Sequence, residues 1–282
     1  MPAPLAPAPR QKRIALVNDL TGFGRCSIAV ELPIVSALGV QGCPLPTAVL
    51  SCHSGFPEYE AVDFTPHMRR FAENWLANGV SFDGILTGWI GSEEQVGIVL
   101  DLVRAFKRPE TIVVLDPVMG DYGRLYDSYT PARCERMRDL LAVSDVATPN
   151  LTEACRLLGA PYPDGGRASD EDLARMAAAL SARGPGRVVI TGLPAGRMLR
   201  NYVHEEGEPD RVVEVGKVGD DRSGNGDAFA AIVAASLVRG EPLVPSVEKA
   251  AEFIRKVLVR TERLNLPWNW GLAIEECLTD LR

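Results

Sequence analysis

Histidine is scarce in this 282-residue sequence, with three in all, and its six cysteines (Cys26, Cys43, Cys52, Cys134, Cys155 and Cys277) form no CxxC pair. Zinc-ligand spacing is therefore missing, and the thiols read as reduced and mostly buried. The longest mostly apolar run, Ala228 to Val238 with Ser236 inside it, falls well short of the ~20 residues that cross a bilayer. Excess positive charge is missing too: 30 Lys and Arg stand against 37 Asp and Glu, a net −7. Such a surface repels polyphosphates and anionic membranes at long range, which excludes a general nucleic-acid or membrane binder and leaves only local anion sites. The opening MPAPLAPAPRQKR has no long apolar segment, so residues 1–12 read as a loose tail rather than a secretion signal, and a cytoplasmic location is expected. No GxxxxGK[ST] loop occurs, and Gly22-Phe23-Gly24 does not continue to a third glycine in the dinucleotide spacing. Any nucleotide must be held another way.

What is present is a hydrophobic content of 46%, enough to fill the core of one large α/β domain or two small ones. Short β-rich runs alternate with helical ones. Strands are expected at RIALV (13–17), QGCPL (41–45), FDGILTG (82–88), TIVVLD (111–116), DVATPN (145–150) and RVVIT (187–191), with two more near 197–203 and 211–215. Helices are expected near 26–38, 66–78, 92–106, 131–142, 151–158, 169–183, 226–239 and 246–263. Unbroken apolar strands separated by helices indicate a parallel sheet covered on both faces. No polar linker divides the chain after residue 13, so residues 13–282 are expected to form one domain, with a small lid left open for the pieces near 40–60.

Ligands of open parallel sheets bind beyond the carboxyl ends of the strands, so those positions should be polar in an enzyme. Here they are: Asn18-Asp19, Ser51-Cys52-His53-Ser54, Trp89 after GILTG, Asp116 and then Asp121, Asn150 with Glu153, and Thr191-Gly192. Helix capping alone explains some of these, because Asp and Asn often start the next helix, but it does not account for six together.

The turn Gly224-Asn225-Gly226-Asp227 runs into Ala-Phe-Ala-Ala. The first amides of a helix lack intrahelical partners, and the glycines remove side chains that would keep an anion away. The helix dipole adds partial positive charge, so the turn suits a phosphate or a developing negative charge. A carboxylate beside a phosphate is repulsive unless it has its own task. A general base accepting a substrate hydroxyl's proton is such a task, while a first-turn helix acid is the plainer alternative for Asp227.

DPVMGD (116–121), TPNLTEA (148–154) and GNGDAFAA (224–231), in that order, resemble the ribokinase superfamily, and specifically its vitamin-kinase branch. Residues 19–55 and LTGWIGS (86–92) narrow the resemblance to the pyridoxal/pyridoxamine kinases, with the hydroxymethylpyrimidine kinases as near relatives. The resemblance implies a ribokinase-like three-layer α/β/α fold with a mostly parallel central sheet. It implies ATP-dependent phosphorylation of the 5′-hydroxymethyl of pyridoxal, pyridoxamine or pyridoxine, with a homodimer as the assembly. In that reading Asp227 is the base, and the amides around Gly224, Asn225, Gly226 and Asp227 form the anion hole. Asp116, Asp121 and Glu153 would organise Mg²⁺, with Asn150 completing their polar network. Thr191 and Gly192 match a phosphate contact, and Tyr126 matches a flap over ATP. On the acceptor side, His53 and Ser54 match a His-Thr pair beside the pyridine ring, Trp89 takes the place of a Tyr, and Asp19 offers a carboxylate to a ring donor. His53 as a satisfied core histidine and Trp89 as a packing residue remain open, as does assistance by a monovalent cation such as K⁺.

Two departures stand out: the resemblance expects Gly-Thr-Gly-Asp where this chain has Gly-Asn-Gly-Asp, and the preceding DDRS (220–223) is unusually charged. Arg222 is expected to pair with Asp220 or Asp221 in solvent, with a phosphate contact as the alternative. A hydroxymethylpyrimidine, sugar or nucleoside kinase is the nearest rival function. A non-catalytic vitamer-binding protein with an altered turn is the rival of another class, though pure binding would not require the acids at 116, 121 and 153.

Overall fold

The structure is a computed structural model describing residues 10–282, so the first nine residues of the expected tail lie outside the described residues. Residues 10–12 lead into the first strand with Arg10 and Lys12 both 3.1 Å from the Asp83 carboxylate. In chain order the elements are β1 (Arg13–Phe23), α1 (Ile28–Ala37), β2 (Gln41–Cys52), β3 (Ala61–Asp63), α2 (Thr65–Ala77), β4 (Gly84–Thr87) and α3 (Glu93–Phe106). There follow β5 (Ile112–Leu115), β6 (Gly120–Asp121), β7 (Arg124–Leu125), α4 (Pro131–Leu141), β8 (Val146–Ala147), α5 (Leu151–Leu158) and α6 (Asp170–Ser181). The chain ends with β9 (Arg187–Ala195), β10 (Met198–Glu205), β11 (Arg211–Gly216), α7 (Asn225–Val238), α8 (Leu243–Arg263) and short 3₁₀ turns at Trp268–Trp270 and Leu278–Leu281.

Nine strands form one sheet in the order β11-β10-β9-β8-β5-β4-β1-β2-β3. The pairs from β2 across to β9 are parallel, and antiparallel pairing is confined to the β9–β10–β11 end and to β3. Period-2 alternation sends side chains to opposite faces. Ile14, Leu16, Val114 and Val189 pack with α1, α7 and α8, while Ala15, Val17, Val113, Leu115, Val188 and Ile190 pack with residues of α3 to α6. The result is the expected three-layer ribokinase-like architecture. Helix α7 is buried from Ala228 to Val238, which explains its lack of a polar face: it sits within a layer, covered by sheet, α1 and α8. No helix among the described residues is long and apolar enough to cross a membrane.

The strands expected at 13–17 and 41–45 run on to Phe23 and Cys52. Their pairing shifts register between Asn18 and Leu20, and beyond that break residues 20–23 pair with 49–52. The pieces near 40–60 are thus continuous with the central sheet, and their outer part projects past the rim with β3 on its edge. Pro44 and Pro46 fit inside β2 because β3 pairs only with residues 48–50, leaving that part of β2 without a neighbour on its other side.

Candidate active site

Parallel pairing puts Asn18-Asp19, Trp89, Asp116, Asn150 and Thr191 on one rim, with residues 51–54 at the end of the projecting part of β2, and a single fully buried side chain ties several of them together. Asn18 accepts at Oδ1 from the Asp19 amide (2.9 Å) and the Trp89 amide (2.7 Å). Its Nδ2 donates to Glu31 Oε1 (2.8 Å) and to Asp227 Oδ1 (3.1 Å). Gly88 makes room for this amide, since a Cβ there would come within 2.2 Å of Asn18 Nδ2. Glu31, a residue the sequence reading did not single out, is only 1% exposed and its Oε2 has no partner. Burial first, and then the Asp227 charge, push it well above the ordinary carboxylate range. The available signal was one acid inside the otherwise apolar helix IAVELPIVSA.

Asp227 stands in the first turn of α7 and is partly exposed. Burial raises its pKa to about 6; Asp19 pushes in the same direction, while the Ser27 amide and the Asn18 side chain pull against them. The first intrahelical bond of α7 runs from the Ala228 amide to Gly224 O at 2.9 Å. The Gly226 and Asp227 amides therefore precede it and have no helical carbonyl to donate to. Asn225 differs, because its amide turns back to Arg222 O at 3.3 Å. Of the four amides expected to form an anion hole, only that of Asn225 is turned away to a carbonyl.

The glycines have separate reasons. Gly224 adopts φ +90, and a Cβ there would meet Arg25 O at 2.3 Å, so its bareness serves the packing of the 24–27 loop. At Gly226 a Cβ would face Asp116 Oδ2 from 3.9 Å, so its bareness keeps open the space between the helix N-terminus and that acid. Asn225 Oδ1 is buried without a partner. Arg222 departs from expectation: it pairs with Glu262 at 2.9 Å and donates to Leu266 O at 2.7 Å. Its side chain is mostly buried against these C-terminal residues, which is why neither Asp220 nor Asp221 holds it.

Across the turn, Asp116 is 6% exposed and meets only a long 3.5 Å contact from Thr148 Oγ1. Burial and the Asp227 charge hold it well above the usual range. Asp121 lies in the β6–β7 hairpin and is raised to about 6 by burial and by Asp221. Asn150 and Glu153 form a capping box on α5 and brace the 116–121 loop: Glu153 accepts from the Met119 amide (3.1 Å) and Asn150 Nδ2 donates to Gly120 O (2.8 Å). Glu153 Oε2 also accepts from the Asn150 amide at 2.8 Å. Each oxygen of Glu153 thus accepts one backbone amide, and the side chain braces the 116–121 loop from the start of α5. Thr191 bridges to Asn150 between strand ends, and Gly192, at φ +69, donates to Asn201 Oδ1 at 3.3 Å. Tyr126 is exposed on the loop after β7.

On the other side, Asp19 is buried and both its oxygens are engaged, Oδ1 by Ser27 Oγ (2.6 Å) and Oδ2 by Thr21 Oγ1 (2.8 Å). Ser27 is the N-cap residue of α1, yet its hydroxyl caps nothing there. A working Ser cap contributes ~0.5–2 kcal/mol. Its backbone at φ 54, ψ −139 is also one that side-chain-bearing residues avoid, at a cost of ~1–3 kcal/mol. His53 Nε2 lies 2.7 Å from Asn269 O, so that nitrogen carries the proton, and Nδ1 accepts from the Gly55 amide at 3.0 Å. The ring is a satisfied histidine, packed edge-on against Phe56 and Trp268. Ser54 is exposed beside it. Trp89 is half-buried, with its ring over Gly91 and its carbonyl accepting from Thr47 Oγ1 at 3.0 Å. The C-terminal turn 268–270, not anticipated from sequence, closes this side: Trp270 stacks edge-on against Phe23 at 5.2 Å.

A mostly parallel three-layer sheet with acids facing a glycine-opened helix start defines a ribokinase-like phosphotransferase acting on a hydroxyl group. Residues 28–268 match the family described as phosphomethylpyrimidine kinase, and the chain belongs to that family. A Bacteroides thetaiotaomicron protein described as a phosphomethylpyrimidine kinase, in its orthorhombic crystal form with pyridoxal, superposes with a TM-score of 0.91 at 36% identity, covering 96% of each chain. Pyridoxal kinase of Sus scrofa is 30% identical over 83% of this chain and 77% of its own length. Hydroxymethylpyrimidine/phosphomethylpyrimidine kinase of Streptomyces coelicolor is 28% identical over 90% and 91%. This chain is a pyridoxal kinase-like vitamin kinase.

Proposed function

We propose that the protein transfers the γ-phosphoryl group of ATP to the 5′-hydroxymethyl of a B6 vitamer, with Asp227 as the general base. The observation carrying this reading is the convergence at α7: a partly exposed acid in the first turn, amides at Gly226 and Asp227 that have no helical carbonyl to donate to, and Asp116 across the Gly226 gap. Asp227 accepts the alcohol proton at the oxygen that Asn18 does not hold. The Gly226 and Asp227 amides stabilise the transferring group by fixed dipoles, and most of the acceleration comes from positioning and from those dipoles. Phosphate leaves directly from ATP to the alcohol with no covalent enzyme intermediate.

The donor chemistry fits Mg²⁺. Asp116, Asp121 and Asp227 are raised by burial and by other carboxylates, and none is ion-paired with a Lys or Arg among the described residues. Mg²⁺ keeps most of its water and takes one or two carboxylates plus phosphate. Asp116 and Asp121 would hold it, and bound there it would neutralise phosphate charge.

The pyridoxal in the Bacteroides crystal supports the B6 acceptor, and the Streptomyces relative supports a hydroxymethylpyrimidine as the second reading. An acceptor panel in an ADP-release assay decides between them. Pyridoxal, pyridoxamine or pyridoxine is expected to give the highest kcat/KM. A hydroxymethylpyrimidine or ribose outperforming all three defeats the B6 reading.

A further inference from the structure

Two unfavourable features converge on Ser27: a left-handed backbone at φ 54 and an N-cap hydroxyl that does not cap. A strained residue persists where its surroundings over-determine it, and such strain gathers at functional sites. What the Ser27 side chain gains for these costs is one short bond, 2.6 Å from Oγ to Asp19 Oδ1, while its backbone bridges to Leu20. We infer that Ser27 is a positioning residue for the acceptor alcohol, orienting the Asp19 carboxylate toward a donor group on a planar heteroaromatic ring. This rests on the reading that the Asp19 side is the acceptor side.

The surrounding geometry leaves Asp19 little freedom. Its amide donates to Asn18 Oδ1 at 2.9 Å, Thr21 Oγ1 holds Oδ2 at 2.8 Å, and Thr21 in turn accepts from Cys26 Sγ at 3.3 Å. Each carboxylate oxygen retains a further acceptor site. With Ser27 and Thr21 fixing the plane, those sites point in one set of directions, and a ring N–H, phenol or amine can be met without reorganising the acid. The Ser27 amide faces Asp227. One strained residue therefore relates the acid on the acceptor side to the acid on the phosphoryl side. A cap-and-turn role alone would be better served by glycine, which adopts this backbone freely.

Ser27→Gly, Ser27→Ala and Asp19→Asn, alone and combined, test this in the full chain, with KM for acceptor and for ATP, kcat, and Tm without ligand as readouts. In Ser27→Gly, Tm is expected to stay level or rise, the acceptor KM to rise roughly tenfold, the size of one lost hydrogen bond to a charged group, and the ATP KM to move less than twofold. Ser27→Ala, which keeps the strain and loses the hydroxyl, should show the same KM with a lower Tm than Ser27→Gly. In the Asp19→Asn background Ser27→Gly should add little. An unchanged acceptor KM in Ser27→Gly, or acceptor and ATP constants rising together, overturns the inference. The kinetics are run with whichever alcohol of the panel the unaltered chain phosphorylates best. A preferred alcohol other than a vitamer therefore defeats only the B6 reading, while an unaltered chain without acceptor-dependent ADP release defeats both.

Discussion

The two sides of the rim are built on opposite principles. On the proposed acceptor side, His53 uses both ring nitrogens and Asp19 both oxygens on partners inside the protein, and Phe23, Phe56, Trp268 and Trp270 pack together beside them. On the phosphoryl side, Asp116 faces the Asp227 charge and Asp121 that of Asp221, none of them paired with Lys or Arg among the described residues, and Glu31 and Asn225 each leave a buried oxygen unpartnered. In the proposed reading the first side would receive the planar ring of the acceptor. The second holds unfavourable like-charge contacts that a metal and phosphates would relieve. Asp227 and Asn18 lie where the two meet, so the largest effects are expected there.

Asp227→Asn keeps the shape of the junction and removes the base. The expected loss in kcat is about 10³-fold, within the range of general-base catalysis, with ATP and acceptor KM changing only a few-fold. In the unaltered enzyme the base must be ionised, so kcat/KM should rise with pH through a limb near the Asp227 value of about 6. Retained turnover in Asp227→Asn, or a limb that survives in it, would show that another group takes the proton. A non-catalytic vitamer-binding protein would release no acceptor-dependent ADP in either form.

The phosphoryl side holds most of the acids whose stability contribution should respond to pH, and Asp19 on the other side is raised by burial in the same direction. Asp227 and Asp121 have folded values of about 6, above the unfolded carboxylate, and Asp116 is raised further in the same direction. Between the unfolded and folded values the native state binds more protons, so without ligand stability falls as pH rises from about 4 through 6. Asp83, whose value is lowered, contributes in the opposite sense, but that contribution is lost only below the unfolded carboxylate value and is constant across this window. Scanning calorimetry without metal or nucleotide should therefore give a lower Tm at pH 7.5 than at pH 5. Asp116→Asn should raise the pH 7.5 value by about 2–5 °C while lowering activity. A Tm flat with pH and insensitive to Asp116→Asn would mean that the acids are relieved by something other than a bound cation.

Much of this contrast was legible in the chain. Parallel topology places strand ends on one rim, so polar residues after apolar runs marked Asp19, Asp116, Asn150 and Thr191 as neighbours before any geometry was known. Asn18 was harder to read: it stands next to the more conspicuous Asp19, and nothing in a linear pattern says which amide will reach residues 31, 89 and 227 at once. Glu31 was hidden by its apolar helix. Arg222 was misassigned to adjacent acids because its true partners, Glu262 and Leu266, are 40 and 44 residues away. The capping box at Asn150 was visible as a pattern, but only the loop it grips, at Met119 and Gly120, shows that Glu153 is engaged on both oxygens.

The smallest effect should come from the acceptor side, at Trp89. Its backbone is pinned by Asn18 Oδ1 on the amide and Thr47 Oγ1 on the carbonyl, so replacing the ring should leave the junction with Asp227 undisturbed. Trp89→Tyr then exchanges one aromatic face for a smaller one that carries a phenol. Stacking survives with less buried area, and the acceptor KM should rise about threefold with kcat unchanged. Trp89→Ala removes the face and should raise the same KM about tenfold. If kcat fell instead while KM held, the ring would be steering the phosphoryl side through Asn18, and the two halves of the rim would be mechanically coupled rather than independently built.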